Sequence, residues 1–593
     1  MTGEQILLLC VFAAVMLLMM WGRFRHDLVA FAGLLAAVVF GLVPVQEAFS
    51  GFSHPAVMTV ALVLIVSAGL IRTGAVQLLG AFLSRPDAPL TLHISRIGGV
   101  GMVLSAFMNN VTALAILMPI DMMTARKAGR AVARSLMPLA FATILGGMLT
   151  LIGTPPNLIV SGFRQEAMGA PFAMFDFIYV GGIVAVAGLV FIALVGWRLI
   201  PVRQEEEAAD EDAADLMRDY VAELVVPDSS RSVGLTRREI DEIADKADAI
   251  LIAVQRKGRR VYGRAGLWQI EIGDIILVEA TPAALEELRL DLQLAYPDGL
   301  SADAPRVAGE GESLIEVVVT DASRINGRTA RQMHLSRNHD SVLLGILRQG
   351  RTIRDRLRDT KVLPGDILLM LVPEAREEQF LSWMRVLPLD RREVVLKENR
   401  VMLAVGLFAL AIALVSFGLL DMPVALGLVL IGYVLGKVLS IEEIYDHVDW
   451  PVIVLLASMI PLGLAMDATG TSGVIAGGLI RLTEGQPAWV ALFALMVATM
   501  FLSDVLNNNA TTILAVPVGL RLAEATGTNP DSYLMAIAVA ASCAFLTPIG
   551  HQNNTIILGP GRYRFGDYWR LGLPLEAIVL AVGVPAILMF WPL

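Results

Sequence analysis

The sequence predicts a polytopic α-helical membrane protein made of two inverted repeats, each with a re-entrant hairpin, and an α/β tandem inserted between them. Three observations carry that expectation. Apolar runs long enough to cross a bilayer recur through both ends of the chain, the middle third has none, and a polar motif embedded in the first apolar region returns in the last, nearly 400 residues later.

Of 593 residues, 56% are hydrophobic and only 17% are charged, with a mean hydropathy of +0.66. So few charges cannot cover a water-facing surface, so most of the chain is expected in lipid. A hydrocarbon core of roughly 30 Å asks for about 20 apolar residues per helix. Such runs begin at 6–21 and close at 571–591. The first follows Glu4 with no Lys or Arg before it and no A-x-A-like cleavage site after it, which reads as a retained span. Cys10 and Cys543 both lie in apolar segments, so neither a disulfide framework nor a cysteine metal site is expected. The acidic excess behind the net charge of -10 sits in soluble segments such as 205–215, a solvated linker, and implies no nucleic-acid partner.

Lys and Arg near the ends of apolar runs set orientation. With Met1 outside, one side collects Arg23, Arg25, Arg72, Arg85, Arg96, Arg126, Lys127, Arg130, Arg134, Arg198 and Arg203, then Arg400, Lys437, Arg562, Arg564 and Arg570. Arg481 and Arg521 fall on the other. The expected placement is a multi-pass protein of the inner (plasma) membrane with its insert in the cytoplasm. The expected domains are a first transmembrane repeat at 1–202, a linker and first soluble module at 203–307, a second module at 308–399, and a second transmembrane repeat at 400–593.

Self-comparison aligns the two apolar regions in three rungs. Ser105-x-x-x-Asn109-Asn110 recurs as Ser503-x-x-x-Asn507-Asn508, with Pro119 and Pro517 each nine residues beyond the second Asn. Thr150-Leu-Ile-Gly153-Thr154-Pro155-Pro156-Asn157 recurs as Thr547-Pro548-Ile-Gly550-His551-Gln-Asn-Asn554, and Glu47 and Pro55 recur as Glu443 and Pro451. The offsets are 398, 397 and 396. Five spans plus one hairpin per half give an odd number of crossings, so the second copy is expected upside down, the plan of transporters whose ligands bind between the repeats.

Unpartnered amides are expensive in hydrocarbon, so a doubled and repeated Asn pair asks for a ligand, although such groups also cap broken helices or bond to their neighbours. Asn and Ser oxygens with freed backbone carbonyls suit a hard cation such as Na⁺. Ser105, Asn109, Asn110, Gly153, Ser503, Asn507, Asn508 and Gly550 form the expected cation set. Gly153 and Gly550, beside their prolines, break helices and free carbonyls, and the helix N-termini left there attract anions. No Lys or Arg lies inside these motifs, so an anion must be held by amide and hydroxyl donors, helix termini and the co-bound cations. Asp504 is either a charge or proton site or a hairpin cap, and His551 is either a substrate contact or a packing residue.

These residues resemble the divalent anion and sodium symporter superfamily over both membrane halves, about 400 residues. The resemblance makes Asn109-Asn110-Val111 and Asn507-Asn508-Asn509 the hairpin triplets and, with Thr154, Pro155, Asn157, His551 and Asn554, the expected substrate contacts. It implies Na⁺ as coupling ion, no organic cofactor, a small inorganic or organic dianion as substrate, and an elevator-type motion against a dimerising scaffold, hence a homodimer. The family's triplet hydroxyls are missing here, which ranks sulfate above a dicarboxylate.

The insert is itself a repeat with a period of about 92. Asp228-Ser-Ser-Arg-Ser-Val-Gly234-Leu-Thr236 matches Asp321-Ala-Ser-Arg-Ile-Asn-Gly327-Arg-Thr329, and Gly273-Asp274 matches Gly365-Asp366. Val/Ile-rich runs at 249–254 and 341–347 alternate with helix-like stretches. Both units resemble the TrkA-C (RCK C-terminal) domain, which implies either a regulatory pair with a small-molecule ligand or a dimerisation scaffold with none. No Gly-x-Gly-x-x-Gly is present, so no nucleotide is implied. The rival classes are a TrkA-C-gated channel, against which no Thr-Val-Gly-Tyr-Gly-like filter is present, and an anion-sensing receptor. An enzyme is not expected, because no cluster of nucleophile, base and metal is apparent.

Overall fold

A computed structural model of the chain describes residues 1–21, 24–73, 88–201 and 398–593, and between them 221–246, 249–256, 259–261, 269–279, 282–295, 312–320, 323–333, 335, 341–348, 351–353 and 359–389. Arg23, Arg85, Arg203, Asp321, the expected linker at 205–215 and the expected module border at 307/308 lie outside them. The chain forms two compact units, one of residues 1–201 with 392–593 and one of residues 202–391.

The first unit is helical. Its first half contains α1 (Gly3–Trp21), α2 (His26–Val39), α3 (Pro55–Arg72), α4 (Leu90–Ser105), α5 (Asn110–Lys127), α6 (Ala133–Gly147), α7 (Pro155–Met168) and α8 (Ile178–Leu194). Among the described residues five helical stretches are long and apolar enough to cross a membrane: 3–21, 45–72, 450–468, 488–505 and 565–590. Large apolar side chains such as Val39, Met402, Phe417 and Leu482 are at least 80% exposed, a surface that only lipid would tolerate.

The second unit contains β1 (Val221–Val225), α9 (Arg237–Lys246), β2 (Ile250–Arg256), β3 (Arg259–Val261), β4 (Ile275–Glu279) and α10 (Pro282–Leu292). It continues with β5 (Glu312–Val318), α11 (Ala330–Met333), β6 (Val342–Arg348), β7 (Arg351–Ile353), β8 (Ile367–Pro373), α12 (Glu377–Met384) and β9 (Leu387–Pro388). Two antiparallel sheets result, ordered β1-β4-β2-β3 and β7-β6-β8-β5-β9, so the strands of the second repeat those of the first. The reason is local chemistry that recurs. Arg256 clamps Asp274 through two bonds of 2.7 Å, and Arg348 clamps Asp366 through bonds of 2.8 and 2.7 Å, with both carboxylates buried. Gly273 and Gly365 turn the chain before β4 and β8 at φ 84° and 83°, where a side chain would strain the backbone. Thr236 and Glu239 form a capping box at α9, and Thr329 and Gln332 form one at α11. The Thr236 N–H holds the Glu239 carboxyl below its ordinary pKa.

The chain then returns to the first unit with α13 (Glu398–Ser416), α14 (Met422–Leu435), α15 (Ile441–Asp446), α16 (Trp450–Ala468), α17 (Thr471–Leu482), α18 (Ala488–Val505), α19 (Asn508–Thr526), α20 (Pro530–Ser542), α21 (Gln552–Leu558) and α22 (Tyr568–Phe590). Packing partners are exchanged between the halves: α3 lies on α14 as α2 lies on α16, α7 on α20 as α6 on α21, and α7 on α19 as α5 on α21. Within each half α4 packs on α6 and α18 on α20. A Cβ on Gly146 would lie 2.3 Å from the Met102 carbonyl, so only glycine lets α6 approach α4 this closely.

Candidate functional site

Four helix breaks converge in the first unit. Residues 106–109 separate α4 from α5, 148–154 separate α6 from α7, and their counterparts separate α18 from α19 and α20 from α21. Several of the bonds at each break recur in its counterpart. Asn109 and Asn507 are the N-caps of α5 and α19, their Oδ1 accepting the N–H of Val111 and Asn509, both at 2.9 Å. The next residue points elsewhere: Ser105 Oγ donates to Asn110 Oδ1 at 2.6 Å and Ser503 Oγ lies 2.8 Å from Asn508 Oδ1.

The two loops are tied to the hairpins in the same way. Thr150 Oγ1 donates to the Ala106 carbonyl, and Thr547 Oγ1 to the Asp504 carbonyl at 2.7 Å. Asn157 Nδ2 donates to the Thr150 carbonyl at 2.8 Å and the Gly147 carbonyl at 3.5 Å, while Asn554 Nδ2 donates to the Thr547 and Ala544 carbonyls, both at 2.9 Å. These two asparagines therefore brace the loops with their amide hydrogens. Thr154 precedes Pro155 as the N-cap residue of α7 but makes no side-chain cap, whereas His551 caps α21 through Nδ1.

Oxygen is in surplus at both breaks. A Cβ on Gly153 would fall 2.5 Å from the Gly147 carbonyl oxygen and 3.0 Å from that of Ser105, so the glycine keeps a space faced by backbone oxygens beside the Ser105–Asn110 pair. At the second break Ser503 Oγ lies 2.6 Å from the Ala541 carbonyl as well as 2.8 Å from Asn508 Oδ1. One hydroxyl hydrogen serves one of those two acceptors, which leaves lone pairs facing each other. Asn553 and Asn554 each keep a buried Oδ1 without a partner. Neutral oxygens with unspent lone pairs fit a hard monovalent cation, and among the described residues no group of three or more His, Cys, Asp or Glu offers a site for a softer metal.

The expected site residues thus divide. Ser105, Asn110, Gly153 and their counterparts Ser503, Asn508 and Gly550 stand at the oxygen-rich breaks, and Asn109 and Asn507 spend their side-chain oxygens as caps. Val111 and Asn509 enter these bonds through their backbone N–H groups. Asp504 accepts the Leu546 N–H at 2.9 Å and ties hairpin to loop, and its carboxyl lies against that of Glu576 on α22.

Three groups escaped the sequence reading. Asn553 Nδ2 crosses to the first half, donating to the Asn110 carbonyl at 3.2 Å and to Thr143 Oγ1 at 2.8 Å. His93 Nε2 lies 2.7 Å from Asp121 Oδ1, and Ser135 Oγ donates to Asp121 Oδ2 at 2.8 Å, fastening α4, α5 and α6 through fully buried polar groups. Arg164 of α7 grips Asp531 of α20 through bonds of 2.7 and 2.9 Å. For the last two the available signal was a charged or histidine side chain inside an apolar helix, which marks a buried polar contact without naming its partner.

Comparison with known proteins shows relatives that are transporters. An uncharacterized transporter of Synechocystis is 31% identical over 596 residues, covering 98% of this chain and 95% of the relative. An uncharacterized transporter of Escherichia coli is 28% identical over 620 residues and covers both chains completely. Sodium/sulfate cotransporter 1 of Chlamydomonas reinhardtii is 20% identical over 748 residues, with 91% of this chain and 84% of that protein aligned. The chain is thus a membrane transporter and not an enzyme. The citrate transporter family model, CitMHS, matches residues 16–512 and 475–593, and the chain belongs to that family.

Proposed function

We propose that this protein is a sodium-coupled symporter that imports a divalent anion, with sulfate as the preferred substrate. The observation that carries the reading is the duplicated oxygen-rich break, in which Ser105, Asn110 and the Gly147 and Ser105 carbonyls, and again Ser503, Asn508 and the Ala541 carbonyl, present more acceptors than hydrogens. The cations enter as cargo. Ser105 and Asn110 hold one and Ser503 and Asn508 the other, Gly153 and Gly550 keep the space open, and Asn157 and Asn554 hold the loop carbonyls in place. An anion is then attracted by the cations and by the N-termini of α5 and α19. The sodium/sulfate cotransporters among its relatives support both the ion and the anion.

The reciprocal packing of the halves supports inverted repeats, and the alternating-access mechanism we favour is an elevator in which the breaks move together against a dimerising scaffold. The Lys and Arg distribution supports the inner membrane and a cytoplasmic insert, whose two alike modules we read as a TrkA-C-like regulatory pair. The decisive experiment is uptake of labelled sulfate into proteoliposomes: saturable, gradient-dependent uptake that needs Na⁺ is expected, and uptake unchanged when choline replaces Na⁺ overturns sodium coupling. The family's description favours a second reading, a citrate or dicarboxylate carrier, which succinate or citrate competing where sulfate does not would select.

A further inference from the structure

We propose that two polar pairs, Arg521 with Asp467 and His54 with Glu166, form a latch between two bodies of the first unit, holding the arrangement described above and opening once in each transport cycle. The inference rests on the alternating-access reading and adds the place where the motion is restrained.

Packing divides the helices of that unit. Those that carry or flank the breaks hold one another across the halves: α5 and α6 on α21, α7 on α19 and α20, and α8 on α22. Asn553 bonds to the Asn110 carbonyl and to Thr143, and the Tyr563 hydroxyl donates to the Ala133 carbonyl and accepts the Met137 N–H. The unbroken helices also hold one another, α2 on α16, α3 on α13 and α14, and α1 on α17. The two bodies meet chiefly where α3 lies on α7 and where α16 and α17 lie on α19.

Both pairs cross that seam. Arg521 of α19 reaches Asp467 of α16, Nε to Oδ1 at 2.6 Å, while its Nη1 is held by Glu524 of its own helix at 2.8 Å. Ser472 of α17 donates to the same Oδ1 at 3.2 Å. His54, the N-cap of α3, accepts the Ala56 N–H on Nδ1 at 3.2 Å, so Nε2 carries the hydrogen and faces Glu166 Oε1 of α7 at 3.4 Å. The ring fits because α7 has Gly162 there, where a Cβ would fall 2.4 Å from His54 Cε1. At 1.5 Å per residue, Glu166 and Arg521 stand roughly 17–20 Å along their helices from the breaks. They stand at one end of the bundle, since Arg164, two residues before Glu166, grips Asp531 just beyond the end of α19.

The seam is asymmetric. At the offsets that align the halves, Arg521 and Asp467 correspond to Met123 and Ile71, and Glu166 and His54 to Tyr563 and Trp450. The far end of the seam therefore has no charged pair at those positions. When inverted repeats exchange roles as the two bodies slide, the pairs separate and nothing of opposite charge replaces them. They favour the arrangement seen here over its opposite in the cycle.

The test uses the full-length protein carrying Cys10→Ser, Arg521→Cys and Asp467→Cys. A short reducible bis-thiol reagent bridges the new pair, whose native side chains are 37% and 49% exposed, while Cys543 is buried. Bridging should stop Na⁺-dependent sulfate uptake into proteoliposomes and a reductant should restore it, while the bridged protein in detergent keeps its thermal stabilisation by Na⁺ and sulfate. A bridged protein that takes up sulfate at the unbridged rate overturns the latch and leaves the transport reading standing. Bridging that removes the Na⁺ and sulfate response along with uptake also overturns it, by showing a distorted site in place of an arrested motion. Without any bridge, Arg521→Gln should change the initial uptake rate about twofold to fivefold, the scale of one exposed pair, with half-saturating Na⁺ unaltered, and Arg521→Lys should stay near wild type. A rate unaltered in Arg521→Gln, or altered equally in Arg521→Lys, overturns the charged latch. A wild type that takes up none of sulfate, succinate and citrate overturns the transport reading and the latch with it.

Discussion

Adding one methyl group to each loop glycine should separate the two cation sites. In Gly153→Ala the new Cβ would stand 2.5 Å from the Gly147 carbonyl oxygen and 3.0 Å from the Ser105 carbonyl oxygen, both backbone atoms. The nearer oxygen must retreat by about 0.9 Å to reach ordinary contact. Hard cations hold oxygen at about 2.3–2.6 Å, so a displacement of that size removes a ligand. In Gly550→Ala the nearest atoms are Ala544 Cβ at 3.0 Å and Asp504 Cα and carbonyl oxygen at 3.1 Å, which need give by only a few tenths of an ångström. Overpacking of the first kind costs about 1–3 kcal/mol, and roughly 1.4 kcal/mol is a factor of ten in affinity. Half-saturating Na⁺, read from thermal stabilisation and from Na⁺-dependent sulfate uptake, should rise about tenfold or more in Gly153→Ala and about twofold or less in Gly550→Ala. A reversed order, or a Gly153→Ala protein with unaltered Na⁺ dependence, would refute the assignment of those carbonyls to a cation.

Asn110→Ala and Asn508→Ala should each raise the Na⁺ concentration for half-maximal uptake, because each removes the oxygen facing Ser105 or Ser503; Asn109→Ala should instead lower stability by about 1 kcal/mol, the worth of a cap, in a melting experiment. Sulfate should compete for uptake better than succinate or malate, and restoring hydroxyls with Val111→Thr and Asn509→Thr should shift that preference towards dicarboxylates in the same competition assay. In the insert, Asp366→Ala strands the half-buried Arg348 guanidinium and should destabilise its module by about 3 kcal/mol, seen as an early unfolding transition, while Na⁺-dependent sulfate binding is retained. Replacing residues 203–400 by a flexible linker should likewise preserve that binding and change the transport rate; a folded deletion protein unable to bind sulfate would place part of the site in the insert.

The sequence by itself determined the helical membrane class, the doubled polar motifs and the period of the insert, because each is a local property written along the chain. Apolar run length reports a lipid environment. The Ser-x-x-x-Asn-Asn and Gly-centred motifs report helix breaks, and β2, β3 and β4 begin 92 residues before β6, β7 and β8, as the repeat of Gly273-Asp274 in Gly365-Asp366 requires. Spacing also brought Ser105 to Asn110 and Ser503 to Asn508, since residues that close in sequence meet across a single turn. What only the tertiary structure decided were choices between neighbours and meetings between distant helices. Adjacent asparagines differ by about 100° around a helix start, so Asn109 caps α5 while Asn110 faces Ser105, a division invisible in an Asn-Asn pair. Gly147 has Ala544 as its counterpart, so the first break can bring Asn110 Oδ1 closer to the backbone than a methyl would permit. The contacts of Asn110 with His551 and Asn553, of Asp121 with His93 and Ser135, of Arg164 with Asp531, and of Asp504 with Glu576 join residues from 14 to 443 positions apart. Periodicity tells which face of a helix is polar. Which distant helix supplies the partner is settled only when the two halves pack, because burying a polar group is tolerable only where another chain segment answers it.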